Sequence, residues 1–446
     1  MEIKIIEEHN DREEVNISNK IGEEISITGL VYNIRLLSWG GFIILRTSSH
    51  YIQCVFNNNN INTSFENVLT ESTVKITGIV KSATIKDVAI SPRDAEIEIT
   101  SLEIISSPSL LRETIDITKK ELKINIDTKF DNRPYTLRHP SERAIFKIQS
   151  VILNSFSDFL SRKGFTRISS PKIVFSGAEG GSNVYKLDYF GREAYLAQSP
   201  QFYKQMMVGV FGKVYETGSV FRAEKHNTSR HLNEYVSLDL EMQIESSFTE
   251  LIDIEVELLK YIFNDIRDKC KSEIELLNIE VPELDRVVVI PFANVHQIVY
   301  EEYGKDYRLD NDLAPEEERL ICEFSKKNWG SDFVFVTHFP SSKRPFYTKD
   351  DPEDPTKTLS FDLLFKGIEV TTGGQRLNLY DDYLTKMNRL GLEPEKFESY
   401  LQAFKVGMPP HGGLALGLER VTAIICNLSN IKEASLFPRD INRLEP

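Results

Sequence analysis

Between Phe221 and Met242 the chain reads FRAEKHNTSRHLNEYVSLDLEM, and Arg222, Glu224, Arg230, His231 and Tyr235 are residue types able to handle a polyphosphate and an aromatic base. Arginine makes planar, two-point hydrogen bonds to phosphate oxygens, and an aromatic ring stacks on a purine. The outer parts alternate, with Phe221, Tyr235, Ser237, Asp239 and Glu241 at odd positions, while Lys225 to Arg230 carries Asn-Thr-Ser turn chemistry. The spacing predicts a hairpin with Arg222 and Glu224 on one strand face and Arg230 and His231 across the loop beside Tyr235. A solvated, salt-bridged surface hairpin fits the same residues, since such pairs are common and contribute little.

Two further stretches carry chemistry. In FDLLFKGIEVTTGGQR, Asp362 and Glu369 are carboxylates in strand-like surroundings and Arg376 follows Gly373-Gly374, so a metal-binding acid and a carboxylate-binding arginine can converge on one pocket. An ordinary hairpin with surface charges fits equally well. In MPPHGGLALGLERVTAIICNL a glycine-rich apolar strand runs into a helix beginning near Leu418, with Glu419 and Arg420 at the junction. Its glycines permit close approach of a ligand or tight helix–strand packing. GGLALG lacks the lysine of a phosphate-binding P-loop and lies within a strand, which argues against the P-loop and Rossmann folds.

The elements that must position these residues fall into two patterns. Strand-like runs EISITGLVYNI, GFIILRT, YIQCVF, STVKITGIVKSA and AEIEITSLEII predict an all-β barrel in residues 1–106. Residues 107–140, with mixed charge and no sustained periodicity, read as a linker. Residues 141–446 combine long amphipathic helices with strands separated by glycine turns, so the larger domain is α+β: helices around an antiparallel sheet. A length of 446 residues agrees with more than one domain.

The net charge of −14 argues against indiscriminate nucleic-acid binding but allows a specific RNA partner on a local basic face. The four cysteines form no C-x-x-C pair, suggesting neither a zinc site nor a disulfide framework. No apolar run reaches membrane length, and the acidic start MEIKIIEEHNDREE lacks signal-peptide layout, so no membrane association and a cytoplasmic location are expected.

GFTRISSPKI, FRAEKHNTSRHLNEY and GGLALGLERV resemble motifs 1, 2 and 3 of class II aminoacyl-tRNA synthetases, in order. AEGGSNVYKLDYFGREAYLAQSPQFYKQ, RPFYT and SLFPRDINRLEP narrow the resemblance to aspartyl-tRNA synthetases of the archaeal and eukaryotic type, over nearly the whole chain. The resemblance implies an N-terminal OB-fold that reads the anticodon, a class II catalytic domain that dimerises through motif 1 around Gly164 to Ile173, and ATP, L-aspartate and tRNA(Asp) as substrates. Whether tRNA(Asn) is a second substrate stays open.

By the same resemblance, Arg222 contacts the α-phosphate of ATP, Glu224 the adenine amino group, and His231 with Arg230 the distal phosphates. Tyr235 and Arg420 sandwich the adenine, and Gly417 belongs to the same site. Glu369 and Thr372 match the magnesium-coordinating positions, and Arg222, Glu369 and Arg420 carry the catalytic roles. Arg376 would bind the aspartate side chain, with Lys204 adding charge. Ser199, Gln201 and Asp239 would hold the α-amino end, Thr372 would lie within reach of the aspartate, and Glu179 would close as a lid. In the barrel, Phe42 would stack on the central anticodon uridine, Gln53 would hydrogen-bond it, Arg35 would lie nearby, and Tyr32 falls at the position tied to the third base; periodicity alone makes Phe42 a core residue. Relatives restricted to tRNA(Asp) tend to carry Trp at the Tyr32 position and relaxed ones His, so Tyr matches neither. Rival readings are an asparaginyl-tRNA synthetase, disfavoured by RPFYT, FPRD and Arg376; a tRNA-independent asparagine synthetase, which would usually lack the OB domain; and a catalytically dead synthetase-like binding protein, disfavoured because Arg222, Glu369, Arg376 and Arg420 are all present.

Overall fold

The computed structural model describes residues 17–48, 50–57, 65–109, 115–175 and 183–445. Glu179 lies outside them. The chain divides into two compact units, one of residues Met1–Ile126 with Arg138–Ser141, the other of Asp127–Leu137 with Glu142–Pro446.

All five strand-like runs of the first unit form strands: β1 (Glu24–Leu37), β2 (Gly40–Arg46), β3 (Tyr51–Asn57), β4 (Thr73–Ser82) and β5 (Ala95–Ser106). They close into a barrel in the order β1-β2-β3-β5-β4. Ile43, Leu45, Ile52, Cys54, Val74, Ile76 and Ile97 fill its interior. The alternate side chains must then face outward. Registers Arg35↔Phe42 and Phe42↔Val55 set Phe42 on that outer face beside exposed Arg35. Phe42 is half-buried, its ring edge-on to Trp39 at 5.6 Å, and so does not join the interior cluster that its periodicity suggested. Gln53, two positions from Val55 on β3, donates to Glu96 at 2.7 Å.

Tyr32 behaves differently. The β1–β2 register shifts between Val31 and Asn33, a bulge that re-aims the side chain between them. Tyr32 is 8% exposed, stands edge-on to Tyr51 and donates its hydroxyl to the Ile117 carbonyl at 2.9 Å. Burial pushes its hydroxyl well above the ordinary tyrosine range. The expected base-reading position is therefore turned into the unit, away from the surface of Phe42 and Arg35.

The stretch read as linker also differs from expectation. Within it α1 (Ile126–Asp131) and α2 (Arg133–Thr136) fold as part of the second unit. Arg133 is fully buried and donates to Glu142 at 2.8 Å and to the carbonyls of Glu433, Ser435 and Leu436. Its partners lie up to about three hundred residues away, which local composition cannot reveal.

The second unit continues through α3 (Pro140–Arg162), β6 (Thr166–Arg167), β7 (Ile173–Val174), β8 (Lys186–Tyr189), β9 (Arg192–Leu196) and α4 (Gln201–Phe211). Next come β10 (Lys213–Phe221), β11 (Glu234–Gln243), α5 (Thr249–Lys269), α6 (Lys271–Leu277), β12 (Val288–Pro291), α7 (Phe292–Tyr303) and α8 (Pro315–Trp329). It ends with β13 (Phe333–Thr337), β14 (Ser360–Phe365), β15 (Ile368–Gln375), α9 (Tyr380–Arg389), α10 (Glu398–Lys405), β16 (His411–Gly417) and α11 (Leu418–Ile425). The eight-stranded sheet runs β12-β13-β14-β15-β16-β11-β10-β6, antiparallel except for its two edge pairs. The α+β expectation holds.

The alternation of β11 and β16 gives this sheet two unlike faces. Leu238, Leu240, Leu414 and Leu416 join Ile148, Ile152 and Phe156 of α3 and Leu251, Leu258 and Ile262 of α5 in one apolar cluster. Each such side chain contributes roughly 1.5–3 kcal/mol by leaving water. The opposite face carries Ser237, Asp239 and Glu241 of β11 in register with Gly417, Ala415 and Gly413 of β16, and Thr372 pairs with Ala415. Small residues in the middle of a charged face leave room above it.

Candidate active site

A cavity of about 550 Å³ opens over this polar face. Of the candidates, Arg222, Glu224, Arg230, His231, Tyr235, Ser199, Gln201, Lys204, Glu369, Thr372, Arg376, Gly417 and Arg420 line it together. Asp239 does not, and Glu179 lies outside the described residues.

The floor is a run of alternating buried charges. Lys204 of α4, 1% exposed, donates to Asp239 at 2.8 Å and to the Leu414 carbonyl at 3.1 Å, and its ammonium lies 3.4 Å from Glu241. Arg376 donates from Nε to Glu241 at 2.9 Å and from Nη2 to the Gly413 carbonyl at 3.0 Å. Burial works to raise the Glu241 carboxyl, but Arg376 and Lys204 hold it below the usual carboxylate range. Gly413 is required here, because a Cβ would lie 2.1 Å from Glu241 Oε2 and 2.2 Å from the Leu240 carbonyl. Asp239 therefore faces Lys204 rather than the cavity, since a buried carboxylate must take the nearest cation. Glu241 is the residue of this floor that sequence reasoning passed over; its odd-numbered place in the β11 alternation was the available signal.

At the β10–β11 end, strand pairing stops at Phe221↔Glu234, so Arg222 and Glu224 sit just beyond β10 rather than within it. Their backbones are still fixed: Arg222 N–H donates to the Asn233 carbonyl and Ala223 N–H to the Asn183 carbonyl, at 2.9 and 3.0 Å. The Arg222 guanidinium lies 5.8 Å from the centre of the Tyr235 ring. His231 pairs with Thr228 Oγ1 at 2.6 Å. Burial holds its imidazole below the ordinary range, Arg420, His226 and Arg230 adding to this against the pull of Glu224. Arg230 bonds Glu318 of α8 at 3.1 Å and the Gly367 carbonyl at 3.3 Å.

The β14–β15 hairpin brings acids to the opposite wall. Thr372 donates to Glu369 at 2.8 Å, so the two oxygens expected to meet a cation already sit together. Asp362 lies 2.8 Å from Arg344, and burial raises its carboxyl, with Glu369 adding to the rise and Arg344 opposing it. Burial pushes Glu318 up to about 7, again with Glu369 adding, against Arg230 and Arg420. Glu369 and Thr372 thus offer two adjacent oxygens of the kind a hard divalent cation takes, although among the described residues no three His, Cys, Asp or Glu side chains gather as a metal-holding set. Arg420, the third residue of α11, donates to the Glu369 carbonyl at 2.9 Å. Its neighbour Glu419, which also lines the cavity, accepts the Val236 N–H at 3.1 Å, tying α11 to β11.

Residues 125–441 match the family model described as tRNA synthetases class II (D, K and N). The chain is 41% identical over 427 residues to the aspartate–tRNA(Asp/Asn) ligase of Thermus thermophilus, covering 96% of this chain and 97% of that one. It is 35% identical to the aspartate–tRNA(Asp) ligase of Pyrococcus horikoshii, covering 96% and 99%. Among solved structures, the asparaginyl-tRNA synthetase of Pyrococcus horikoshii complexed with asparaginyl-adenylate superposes with a TM-score of 0.87 at 30% identity, covering 99% of this chain and all of that one.

Proposed function

The chain belongs to the class II tRNA synthetases of the aspartate, lysine and asparagine group, and from that premise we propose that it uses ATP to join L-aspartate to tRNA(Asp). The observation that carries the choice of amino acid is Arg376 at the cavity floor, held by Glu241 and the Gly413 carbonyl so that its orientation is set before substrate arrives. An arginine in that place rewards an anionic side chain; asparagine would lack the charge. Lys204 adds a second cation, and Ser199 and Gln201 hold the α-amino end. Glu179 would close over the ammonium.

The aspartate α-carboxylate attacks the α-phosphorus of ATP, the bond to the bridging oxygen breaks, and aspartyl-adenylate and pyrophosphate result. The 3′-hydroxyl of the terminal tRNA adenosine then attacks the acyl carbon, and AMP leaves. No side chain has to act as nucleophile. Arg222 is placed to receive the charge that builds on the α-phosphate, Tyr235 and Arg420 flank the adenine, Glu224 takes its amino group, and His231 and Arg230 meet the distal phosphates, so catalysis is positioning plus electrostatics. Magnesium, when bound, would neutralise phosphate charge from Glu369 and Thr372.

The barrel would read the anticodon through Phe42, Gln53 and Arg35, because an aromatic ring on an outer β face suits an unpaired base. A homodimer formed through the motif 1 region and a cytoplasmic location complete the reading. We take residues 1–106 as the anticodon-binding domain and 141–446 as the catalytic one. Of the two relatives named above, the one with higher identity is named for both tRNAs, which supports tRNA(Asn) as a second substrate.

The test is aspartate-dependent ATP–pyrophosphate exchange, followed by parallel charging of tRNA(Asp) and tRNA(Asn) with labelled aspartate. Exchange is expected with aspartate and not with asparagine. Its absence in folded, magnesium-supplied protein would leave a synthetase-like binding protein as the better account. Exchange with asparagine instead would make the chain an asparaginyl enzyme.

A further inference from the structure

From Lys225 to Ser229 the β10–β11 loop is exposed and belongs to no ladder. The C-terminal segment grips its tip. Ile431 N–H donates to the Ser229 carbonyl at 3.0 Å, and the ammonium of Lys432, a residue 7% exposed, donates to Asn227 Oδ1 and to Asp440 Oδ2. Farther along, Asn233 N–H donates to the Arg439 carbonyl at 2.9 Å. The gripping segment is itself anchored. Arg133 binds the carbonyls of Glu433, Ser435 and Leu436, and Lys129 spans Glu142 and Glu433 at 2.8 Å each.

Thr228 lies between the two gripped residues. Its Oγ1 sits 2.6 Å from His231 Nδ1 and accepts the Arg230 N–H at 3.2 Å. Fixing Asn227 and Ser229 therefore fixes the hydroxyl that orients the ring of His231 and the backbone of Arg230, the two residues assigned to the distal phosphates.

We infer that Lys432 is a positioning residue of the nucleotide site: held by the C-terminal segment, it secures the tip of the β10–β11 loop through Asn227 and so arranges His231 and Arg230 before ATP arrives. The inference rests on the ATP reading of this cavity. An ungripped loop would have to be ordered on binding, so the loss falls on ATP affinity rather than on aspartate affinity.

The experiment is ATP–pyrophosphate exchange without tRNA, which removes any contact of the loop with RNA from the readout. Asn227→Ala removes the side-chain half of the grip and leaves the Ile431–Ser229 backbone bond and the buried Lys432–Asp440 pair intact. It should raise the KM for ATP about tenfold while the KM for aspartate stays within about twofold and Tm is unchanged. Lys432→Met should raise the KM for ATP similarly but lower Tm, because it strands the buried Asp440, and the double variant should have no higher KM for ATP than Lys432→Met alone, because both cut one connection. Lys432→Arg, which keeps donors for both acceptors, should restore most of the affinity. Equal rises in both KM values, or additive losses, would overturn the inference. Direct calorimetric titration with ATP separates the two readings: no exchange in the natural protein defeats the functional reading, whereas equal ATP Kd in the natural protein and Asn227→Ala defeats this one.

Discussion

The outer face of the barrel and the floor of the cavity use the same residue types in opposite surroundings. Arg35 and Phe42 stand at the surface or half-buried, and Gln53 is tied to a single acid. Lys204, Glu241 and Arg376 are almost wholly removed from water, and each is paired. Water screens the first set, so each member acts nearly alone. The second set is coupled, because removing one charge strands its partner where no solvent can replace it. The first arrangement suits the proposed RNA-reading face, and the second suits the proposed pocket that tells a carboxylate from an amide.

The largest effect should come from Arg376→Ala, which removes the proposed carboxylate partner and strands Glu241. A loss of about 3–5 kcal/mol, shared between aspartate activation and folding, is expected, with ATP affinity nearly intact. Exchange kinetics and urea melts divide it. Arg376→Lys keeps the charge but not the planar fork and should recover stability more than activity. Equal losses of ATP and aspartate affinity would erase the distinction between floor and wall.

Next comes the pH response of Glu419, whose carboxyl burial pushes up to about 7 against the Val236 N–H it accepts. The unfolded chain releases that proton near 4.5, so the folded state binds more protons between these values. The stability it contributes is full below the unfolded value and is lost as pH rises to about 7. Glu419→Gln should flatten that slope by up to about 3 kcal/mol between pH 4.5 and 7, measured by urea melts across the range. An unchanged slope would mean that the buried α11–β11 tie does not behave as a coupled, dry contact.

On the barrel side, Phe42→Ala should weaken tRNA binding by about 1–3 kcal/mol, the worth of one stacked base, and leave tRNA-free exchange untouched. Arg35→Ala should cost less, under about 1 kcal/mol, and the cost should shrink as salt is raised. Filter binding at two ionic strengths reads both. A salt-independent Arg35 effect larger than that of Phe42 would mean that this face is not the screened surface it resembles.

Much of this was legible before any coordinates. The five barrel strands, the alternation of Tyr235, Ser237, Asp239 and Glu241, and the strand-to-helix change at Leu418 follow from periodicity and glycine placement, which act over a few residues. Arg222, Arg376 and Arg420 could be singled out because a guanidinium suits phosphate and carboxylate and because they fall in stretches that resemble the motifs of one family. Two of the departures have specific causes. A one-residue bulge turned Tyr32 inward, and Arg133 made core of a stretch whose composition reads as linker.

The sequence by itself therefore determined the elements, the family and the roster of charged side chains, because those depend on local spacing and residue type. Only the tertiary structure decided which polar group answers which: Glu241 for Arg376, Glu318 for Arg230, Lys432 for Asn227, pairs lying between 88 and 205 residues apart. Partners that distant meet because one sheet turns its polar face to a single cavity and the chain's last segment returns to brace it, and strand periodicity, which fixes the face, carries no information about the neighbour.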